Sequence, residues 1–483
     1  MDMQKPNILF ILIDDLGWKD LACCGSPFYE TPNLDRLAAQ GLRFTQAYAA
    51  CPVCSPTRAS LLTGKYPATV GITDWIDSGG RLHPLRGQLV DVPYLKALPT
   101  SEYALPRALR DGGYRTWHLG KWHLGGAGHL PQDHGFEVNI GGSQQGGPGS
   151  GGYFSPWTID ALRDAPVPDG TYLTDYLTDR AIELLQQPDE RPFFMYLSHY
   201  CVHQPIGAKL DDIRKYEAKA TALGLDSQRT FEEGESFPTE HKRHLRVCRR
   251  LLQSDPVYAA MIDNLDMNVG RLLQALEATG QAERTLVIFT SDNGGLATSE
   301  GSPTCNAPLA EGKGWMYEGG TREPLLMRWP GVIRENTTCA IPVTSPDFYP
   351  TLLDVAGLPP LPEQHVDGVS LLPLLRGGAS LNREAIFWHY PHYGNQGGTP
   401  GAAIRMGAHK LIEFFEDHRI ELYDLDADPG ETRDLSASHP QLVETLRCAL
   451  HAWQRKVLAR FPASNPDWQP TTATTAVAQA KLI

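Results

Sequence analysis

The residues of this chain best suited to chemistry lie in segment 54–64, which reads CSPTRASLLTG. Its first residue, Cys54, stands at a turn, Pro56 opens a helix, and Arg58 follows one turn later. Unpaired backbone N–H groups and the helix dipole make such a helix start favourable for an anion. The spacing therefore predicts a nucleophile-sized side chain held beside an anion-binding helix end.

Two other interpretations of the same segment stay open at this point. Cys54 could be a buried cysteine before an ordinary proline-started helix. Alternatively, Cys51 and Cys54 form a C-x-x-C pair of the redox or zinc type. A zinc site needs a second pair at suitable spacing, which we do not find, and a redox pair is expected in a short thioredoxin-like chain.

Length and composition limit the class of protein. The 483 residues suffice for one large α/β domain plus a smaller one. The net charge of −13 argues against nucleic-acid binding, so a site for an anionic substrate must be a local positive spot. The 9 cysteines are too sparse for a disulfide framework.

The apolar runs also bear on localisation. We find none of the length of a membrane helix, and we expect no membrane partner. Residues 8–13 are apolar but lack a basic leader and a small-residue cleavage site, so they do not resemble a signal peptide. We therefore expect a cytoplasmic protein, or a periplasmic or secreted one if a leader was removed.

Polar side chains follow the ends of several predicted strands. Apolar runs at 7–13, 43–48, 114–119, 193–197 and 285–290 are typical of buried strands, and helical patterns at 31–41, 105–110 and 261–276 lie between them. We expect Thr31 to cap the first of these helices. Open parallel α/β sheets bind ligands at the carboxyl ends of their strands. This alternation predicts one site built from Asp14, Asp15, Cys54, Lys121, His123, His203, Asp292 and Asn293.

Some of these residues offer only oxygen ligands, namely Asp14, Asp15, Asp292 and Asn293. Burying such acids without a partner would be costly. A hard divalent cation removes that cost, and we expect Ca²⁺, with Mg²⁺ as the alternative. Zinc is disfavoured because the set contains neither histidine nor cysteine.

The order of motifs along the chain resembles the type I, formylglycine-dependent sulfatases. The matching segments are NILFILIDD at 7–15, CSPTR at 54–58, GYRTWHLGKWHLG at 113–125, the His203 segment HQP, SDNG at 291–294 and GKGWMYEGG at 312–320. In look, the chain is most similar to bacterial arylsulfatases and to the N-acetylgalactosamine-sulfate sulfatases. Departures from the family pattern are Thr57, Val202 and Glu323.

The resemblance implies an alkaline-phosphatase-like fold and a role for each matched residue. A maturation enzyme would oxidise Cys54 to Cα-formylglycine, whose hydrate attacks sulfur and also contacts the metal held by the strand-end oxygens. His203 and Lys313 would protonate the leaving alcohol, and His123 would take the proton whose loss expels sulfate. Arg58 and Lys121 would bind the residue-54 product and the sulfate charge, and His203 and Lys313 would also contact the substrate.

The rest of the chain divides into further expectations. We predict a catalytic domain over 1–370 and a C-terminal subdomain over 371–483, with strands at 385–389, 410–415 and 420–425, a helix at 440–461 and poor order over 463–483. Residues 206–256 form a charge-rich insertion whose basic run, 241–250, we interpret as a solvated helix face, with contact to an acidic glycan as the alternative. The glycine-rich segment 141–152 is expected to shape the pocket, with a plain linker as the alternative. We expect His118 and His199 to be structural.

These features together predict an enzyme that releases inorganic sulfate from an organic sulfate ester, with a sulfated carbohydrate as the expected substrate. One alternative is a phosphodiesterase or phosphonate monoester hydrolase of the same superfamily. The other is a catalytically silent protein that binds sugar sulfates, in which Cys54 remains a thiol. The expected partners are the sulfate ester and the formylglycine-generating enzyme.

Overall fold

The computed structural model describes residues 5–77 and 83–469. Its strands, in chain order, are β1 (Asn7–Ile13), β2 (Leu42–Tyr48), β3 (Leu89–Val90), β4 (Arg115–Gly120), β5 (Val138–Ile140), β6 (Phe193–Ser198), β7 (Phe231–Ser236), β8 (Arg246–Arg250), β9 (Thr285–Ser291), β10 (Arg322–Arg328), β11 (Thr337–Cys339), β12 (Val343–Thr344), β13 (Ala385–Tyr390), β14 (Gly401–Met406), β15 (His409–Phe414), β16 (Ile420–Asp424) and β17 (Ala463–Ser464). The 9-stranded central sheet has the order β11-β2-β10-β9-β1-β6-β4-β5, with β12 also paired to β2.

Pairing in the central sheet is mostly parallel, as the alternation of strands and helices predicts. β1 runs parallel to both β6 and β9, and β4 runs parallel to β5 and β6. Only β10 pairs antiparallel with its neighbours among the strands described for this sheet. The carboxyl ends of β9, β1, β6 and β4 are therefore neighbours at one edge, where the candidate residues follow.

Helices cover both faces of this sheet, and one more packs on a smaller C-terminal sheet. The helices of the described residues are α1 (Pro32–Ala39), α2 (Cys54–Thr63), α3 (Pro67–Val70), α4 (Leu105–Asp111), α5 (Leu173–Leu185), α6 (Leu210–Ala222), α7 (Pro256–Ala278), α8 (Glu318–Thr321), α9 (Phe348–Val355), α10 (Leu372–Leu375) and α11 (Pro440–Lys456). Within 5–77 and 83–469, no helix combines the length and the apolar character that crossing a bilayer requires.

β1 shows why its sequence is an unbroken apolar run. Leu9, Ile11 and Ile13 pack into one hydrophobic cluster with α5 and α7, while Ile8, Phe10 and Leu12 pack into another with α2, α4 and α9. All seven residues of the strand are buried. Burial of one such apolar side chain stabilises the fold by about 1.5–3 kcal/mol, and a polar side chain in its place would lose this contribution. Polar residues are therefore expected only where the strand ends.

A smaller antiparallel sheet, in the order β13-β14-β15-β16, makes the core of the C-terminal part. Trp388 and Tyr390 of β13 share a hydrophobic cluster with Tyr48 and Val53 of the catalytic part. α11 covers the other face of the small sheet. β13, β15, β16 and the presence of α11 agree with the predicted strands and helix, whereas β14 was not predicted. The division at residue 370 remains a prediction.

The C-terminal segment differs from expectation in two respects. α11 ends at Lys456, not at residue 461 as predicted, and Leu458 has a left-handed φ of +53°, which cannot continue a helix. Residues 463–464 form β17, which pairs antiparallel with β3. The structure thus describes the first part of the segment expected to be poorly ordered, and residues 470–483 lie outside the described residues.

One local prediction is confirmed only in part and another is wrong. Thr31 is the N-cap residue of α1 as predicted, but its side chain makes no capping hydrogen bond, because its hydroxyl donates to Asp35 and accepts from Ala22 N–H. The basic run 241–250 is not a helix face, since Arg246–Arg250 form β8, paired antiparallel with β7. The acids of β7 explain this pairing, because Arg249 binds the Glu235 carboxylate across the hairpin at 2.8 Å.

A buried ion network joins the two parts of the protein. Lys410 of β15 lies 3.0 Å from Glu318 Oε1 and 3.0 Å from Glu431 Oε1, with all three side chains fully buried. Tyr48 donates a further hydrogen bond to Glu318. Glu318 belongs to the MYEGG end of the motif that carries Lys313, so the small sheet holds that motif in place.

Replacing Lys410 with methionine is expected to destabilise the protein by about 3–5 kcal/mol, because buried Glu431 loses its lysine partner. Buried Glu318 is left with Arg322 at 3.4 Å. Urea unfolding monitored by fluorescence measures the change. The matched control is Arg163→Met, which breaks an exposed pair with Asp160 and should change stability by less than about 1 kcal/mol. Equal stability for Lys410→Met and wild type would contradict this role for the network.

Candidate active site

The strand-end oxygens predicted to bind a metal lie together. Asn293 Nδ2 donates to Asp15 Oδ1 at 2.9 Å, and Asp15 N–H donates to Asp292 Oδ1 at 3.2 Å. Asp14 and Asp15 also form a group with His203, with ligand atoms within 4.8 Å of one another. The sequence did not predict that His203 would join this group, although it places His203 at the same site.

The donor set fits a hard cation. Asp14 Oδ1 and Asn293 Oδ1 are buried and accept no hydrogen bond from any residue that the structure describes. Burial raises the pKa of the Asp14 carboxyl to about 8, so an added positive charge is needed to keep it ionised at neutral pH. Carboxylate and amide oxygens are ligands that Ca²⁺ and Mg²⁺ prefer.

The three aspartates of the site each lie beside a buried, positively charged side chain. Lys121 Nζ is 2.7 Å from Asp14, Lys313 Nζ is 2.8 Å from Asp15, and Arg58 Nη2 is 2.7 Å from Asp292. Arg58 also donates to the Ser198 hydroxyl and to the Lys121 carbonyl. These cations are balanced by carboxylates, so a bound divalent cation would supply the positive charge that an anionic substrate requires.

Cys54 is the first residue of α2, after Val53 in extended conformation. Its Sγ lies 3.3 Å from His123 Nδ1. Burial raises the pKa of the Cys54 thiol and of the nearby Cys51 thiol, and both are free. A reactive thiol needs a lowered pKa, so the redox interpretation of the C-x-x-C pair is disfavoured and an unmodified Cys54 would be a poor nucleophile.

The protonation of His123 follows from its contacts. Nε2 lies 2.8 Å from the Ile76 carbonyl oxygen, so this nitrogen carries the proton and donates. The lone pair on Nδ1 therefore points at residue 54. Burial, together with the Lys121 charge, holds the pKa of His123 well below its usual range. His123 is thus a neutral base aimed at the predicted nucleophile.

Ser55 forms hydrogen bonds to both the His123 segment and the Ile76 segment. Its hydroxyl donates to the His123 carbonyl at 3.0 Å and accepts from Ile76 N–H at 3.0 Å. The turn before α2, the His123 segment and the Ile76 segment are thereby held in register. Neither Ser55 nor the Ile76 carbonyl was predicted as a site residue, and a backbone carbonyl carries no side-chain signal in a sequence.

His203 and Lys313 meet at Asp15 but differ in protonation. His203 Nδ1 donates to the Gln204 carbonyl at 2.6 Å, and its Nε2 is 3.7 Å from Asp15 Oδ2. Burial, with help from the Lys313 charge, lowers the pKa of His203 to about 3. For Lys313, burial alone would lower the pKa, but the nearby Asp15 carboxylate raises it above its usual value. In this arrangement Lys313 carries the proton and His203 is neutral.

The glycine-rich segment lies directly on both histidine rings. A Cβ at Gly146 would sit 2.5 Å from His123 Cε1, and one at Gly147 would sit 3.1 Å from His203 Nδ1. No side chain fits between this segment and the His123 ring. The geometry agrees with the expectation that segment 141–152 shapes the pocket.

His118 and His199 pack as structural residues. His118 lies among the rings of Trp122, Phe136 and Tyr196. His199 is 1% exposed, and its backbone N–H extends the pairing between β6 and β1 by donating to Leu12 O. The neighbouring residue, Ser198, accepts a hydrogen bond from Arg58, a contact that the sequence did not predict.

Acid is expected to destabilise the protein through His199. Burial lowers its pKa from 6.5 to about 4, so the unfolded chain takes up the proton first. The contribution of neutral His199 to the free energy of unfolding is fully present above the pKa of the unfolded state and is lost as pH falls toward the folded-state pKa. The expected loss is about 2 kcal/mol between about pH 7 and about pH 5. His199→Gln should flatten the pH dependence of urea unfolding, whereas exposed His439→Gln should not. The same slope for His199→Gln and wild type would contradict the shift.

Comparison with known proteins identifies the family of this chain. The family model "Sulfatase" matches residues 6–358, and the model "N-sulphoglucosamine sulphohydrolase, C-terminal" matches residues 311–456. A sulfatase of Formosa agariphila is 33% identical over 92% of this chain and 87% of its own length. Human arylsulfatase A is 32% identical over 92% of this chain and 87% of its own.

Solved structures share the fold. The crystal structure of Ps i-CgsB in complex with k-i-k-neocarrahexaose has a TM-score of 0.72 and 27% identity, covering 99% of this chain and 98% of its own. The phosphonate monoester hydrolase of Agrobacterium radiobacter has the same fold, with a TM-score of 0.62, 23% identity and coverage of 96% of this chain and 100% of its own. The chain therefore belongs to the sulfatase family, and it is an enzyme that hydrolyses sulfate esters.

Proposed function

We propose that this enzyme releases sulfate from a sulfated carbohydrate, with residue 54 acting as an oxidised, hydrated aldehyde. The observation that carries this proposal is the His123 Nδ1 lone pair 3.3 Å from the residue-54 side chain, beside the buried strand-end oxygens. Human N-acetylgalactosamine-6-sulfatase, 30% identical over 95% of this chain and 87% of its own, supports the choice of a sugar. The oligosaccharide bound by Ps i-CgsB supports it as well.

The oxidation would be made by a formylglycine-generating enzyme before folding is complete. Residues 54–63 are all buried in the folded chain, and Cys54 is 3% exposed. A second protein cannot reach that side chain without local unfolding. The aldehyde then adds water and presents two hydroxyl groups at position 54.

Asp14, Asp15, Asp292 and Asn293 would hold the cation, with the residue-54 hydrate as a further contact; we assign Ca²⁺, with Mg²⁺ as the alternative. When bound, it would polarise a sulfate oxygen and lower the pKa of a residue-54 hydroxyl. Arg58 and Lys121, already placed against the acids, would orient this set and share the sulfate charge.

The remaining steps are proton transfers by the chain's own residues. One hydroxyl of residue 54 loses its proton to solvent, and its oxygen forms a bond to sulfur as the bond from sulfur to the alcohol oxygen breaks. Lys313, which carries a proton, protonates the departing alcohol, and His203 at the same carboxylate can do so once its Nε2 has gained a proton. His123 Nδ1 then accepts the proton of the second hydroxyl, so that sulfate leaves and the aldehyde reforms.

A substrate panel tests the proposed function. Kinetics would be measured on p-nitrophenyl sulfate, sulfated monosaccharides, a phosphate monoester and a phosphate diester, each after chelation and after Ca²⁺ is restored. We expect sulfate esters to be preferred, and activity to depend on the returned cation. Faster turnover of the diester would favour the phosphodiesterase alternative, and no turnover of any ester would favour the silent binding protein.

His123→Ala is expected to let the sulfated enzyme accumulate, because the base for the second step is lost. Turnover of aryl and sugar sulfates should fall to a similar limiting rate, by about 10²–10⁴. Rapid quench followed by intact-mass measurement detects the added sulfate, and exposed His439→Ala is the control. A variant that stays slow without any adduct would show that His123 acts elsewhere.

A further inference from the structure

A hairpin of the charge-rich insertion stands beside the active site. We call the insertion hairpin β7, β8 and their connecting loop 237–245. It is fastened to the segment after β9, because Ser299 N–H donates to Cys248 O at 2.8 Å and Arg250 N–H donates to Ala297 O at 3.0 Å. Between the hairpin and residues 299–302 lies a cavity of about 550 Å³, which we call the side cavity.

One wall of the side cavity reaches His203. Gly301 lines the cavity and lies against the side chain of Gln204, since a Cβ added to Gly301 would be 3.1 Å from Gln204 Nε2. Gln204 directly follows His203 and provides the carbonyl that fixes its tautomer. The cavity is therefore one residue removed from a group assigned to the leaving alcohol.

The same wall also reaches Lys313. The carboxylate of Glu300 accepts a hydrogen bond from Gln396 Nε2 at 2.7 Å. Gln396 in turn packs on Gly314, where a Cβ would meet its Oε1 at 2.3 Å. Because His203 and Lys313 both face the departing alcohol, the side cavity lies on the side of the site that holds the sugar.

The lining suits a sugar ring with a negative substituent. Phe231 is 41% exposed and Leu245 is 46% exposed at the cavity, which leaves apolar surface for the face of a ring. Hydrogen-bonding side chains surround them, namely Glu233, Lys242, His244, Arg246 and Glu300. Lys242 is anchored by a 2.9 Å hydrogen bond to Asn395 O, which limits the freedom it loses on binding.

The basic residues of the side cavity lie on one part of its lining. Residues 237–246 read FPTEHKRHLR and bring Lys242 and Arg246 to the cavity, with Glu240 as the sole acid of this stretch in a protein of net charge −13. The acids of the lining, Glu233 and Glu300, lie outside this stretch, and Glu300 accepts a hydrogen bond from Gln396. Glu240 points to other partners, since its carboxylate accepts from Asn465 and lies near Arg86. A basic tip on an acidic protein attracts an anion locally.

We infer that the side cavity binds the sugar residue adjoining the sulfated one, and that Lys242, His244 and Arg246 bind an anionic group on it. The physiological substrate is then an anionic oligosaccharide and not a monosaccharide sulfate. This inference rests on the proposed function for the position of the sulfated sugar. The anionic group is an oxyanion, and either a sulfate ester or a carboxylate on the sugar would supply it.

Binding is tested without turnover, in the full chain carrying Cys54→Ala. Calorimetry would compare a sulfated galactan tetrasaccharide, a hyaluronan tetrasaccharide and the neutral agarotetraose. We expect at least one anionic tetrasaccharide to bind about tenfold more tightly than the neutral one, with the advantage lost at high salt. The better of the two anions identifies the group as sulfate or carboxylate. Equal binding of all three would overturn the inference.

Variants locate the binding. Arg246→Gln and Lys242→Gln should each weaken the preferred tetrasaccharide about tenfold, whereas Arg214→Gln, an exposed charge on α6, should not. In the active enzyme, the loss should appear in KM for the tetrasaccharide and be at least about fivefold larger than any loss on p-nitrophenyl sulfate. Unchanged affinity in both variants, with melting temperatures equal to wild type, would overturn the assignment.

Failure of the proposed function gives a different result. An enzyme that turns over no sulfate ester at all would reject the sulfatase mechanism, yet the calorimetry would still report on the side cavity. Conversely, an enzyme that is active on sulfated monosaccharides and binds no tetrasaccharide would keep the mechanism and reject the side cavity.

Discussion

Replacing Cys54 with alanine is expected to reduce turnover by about 10⁴-fold or more while the protein stays folded. Alanine cannot become an aldehyde, so both the hydroxyl that attacks sulfur and the hydroxyl that expels sulfate are lost. The buried thiol contacts His123, and its removal leaves little space, so folding should persist. Steady-state kinetics on p-nitrophenyl sulfate and a melting curve make the measurement.

Cys51→Ala is the matched control, since Cys51 is a buried cysteine of the same C-x-x-C segment. It should keep most of the activity. A Cys54→Ala enzyme that retained a tenth of wild-type turnover would remove residue 54 from the mechanism. Cys54→Ser adds a sharper test, because a serine hydroxyl can take up sulfate once but has no second hydroxyl with which to release it. A stable sulfated serine is expected by mass spectrometry.

The second large effect concerns the proton given to the leaving alcohol. Lys313→Met should cost about 10²–10⁴ in kcat/KM on a sugar sulfate, and far less on an aryl sulfate whose phenolate leaves without an acid. Lys313 carries the proton in this structure, because the Asp15 carboxylate 2.8 Å away favours its charged form. The measurement is kcat/KM for both substrates with each variant.

His203→Ala should show the same substrate dependence with a smaller loss. Its Nδ1 proton is committed to the Gln204 carbonyl, so His203 must gain a proton before it can donate one from Nε2. Lys65→Met, which removes a partly buried lysine paired with Glu102 outside the site, separates a general loss of positive charge from loss of the acid. Equal losses on sugar and aryl sulfates for Lys313→Met would assign the proton to another group.

The strands and the site they carry could be predicted because the signals are local. An apolar run must end where charged residues begin, so the end of β1 and the position of Asp14 follow from the same few residues. Parallel pairing then brings the strand ends together without further information. The five strands predicted for the catalytic part agree with β1, β2, β4, β6 and β9 to within one residue at each end, whereas the described strands β3, β5, β7, β8, β10, β11 and β12 were not predicted.

Helix starts were less accurate where a cap was overlooked. The pattern of apolar residues suggested a helix from residue 261, but α7 begins at Pro256. Asp255 caps it by accepting from the N–H groups of Val257 and Tyr258, and Pro256 occupies the first turn. Both signals are present in the sequence, so this boundary was predictable from capping chemistry and not from periodicity alone.

Other features depend on distant parts of the chain and have no local signal. The pairing of Lys410 with Glu318 and Glu431 joins segments far apart in sequence, and each residue alone resembles a surface charge. The hairpin of β7 and β8 is similar, because its strand character comes from cross-strand ion pairs and from the loop it packs against. Which cation faces which acid in the site also required the structure.

The account depends most directly on the chemical state of residue 54 in active enzyme. Peptide mass spectrometry would quantify aldehyde and thiol at position 54 in preparations made with different amounts of the maturation enzyme, alongside turnover of p-nitrophenyl sulfate. We predict that activity rises in proportion to the aldehyde fraction and extrapolates to zero where residue 54 is entirely thiol. Full activity in a preparation whose residue 54 is an intact cysteine would contradict the account.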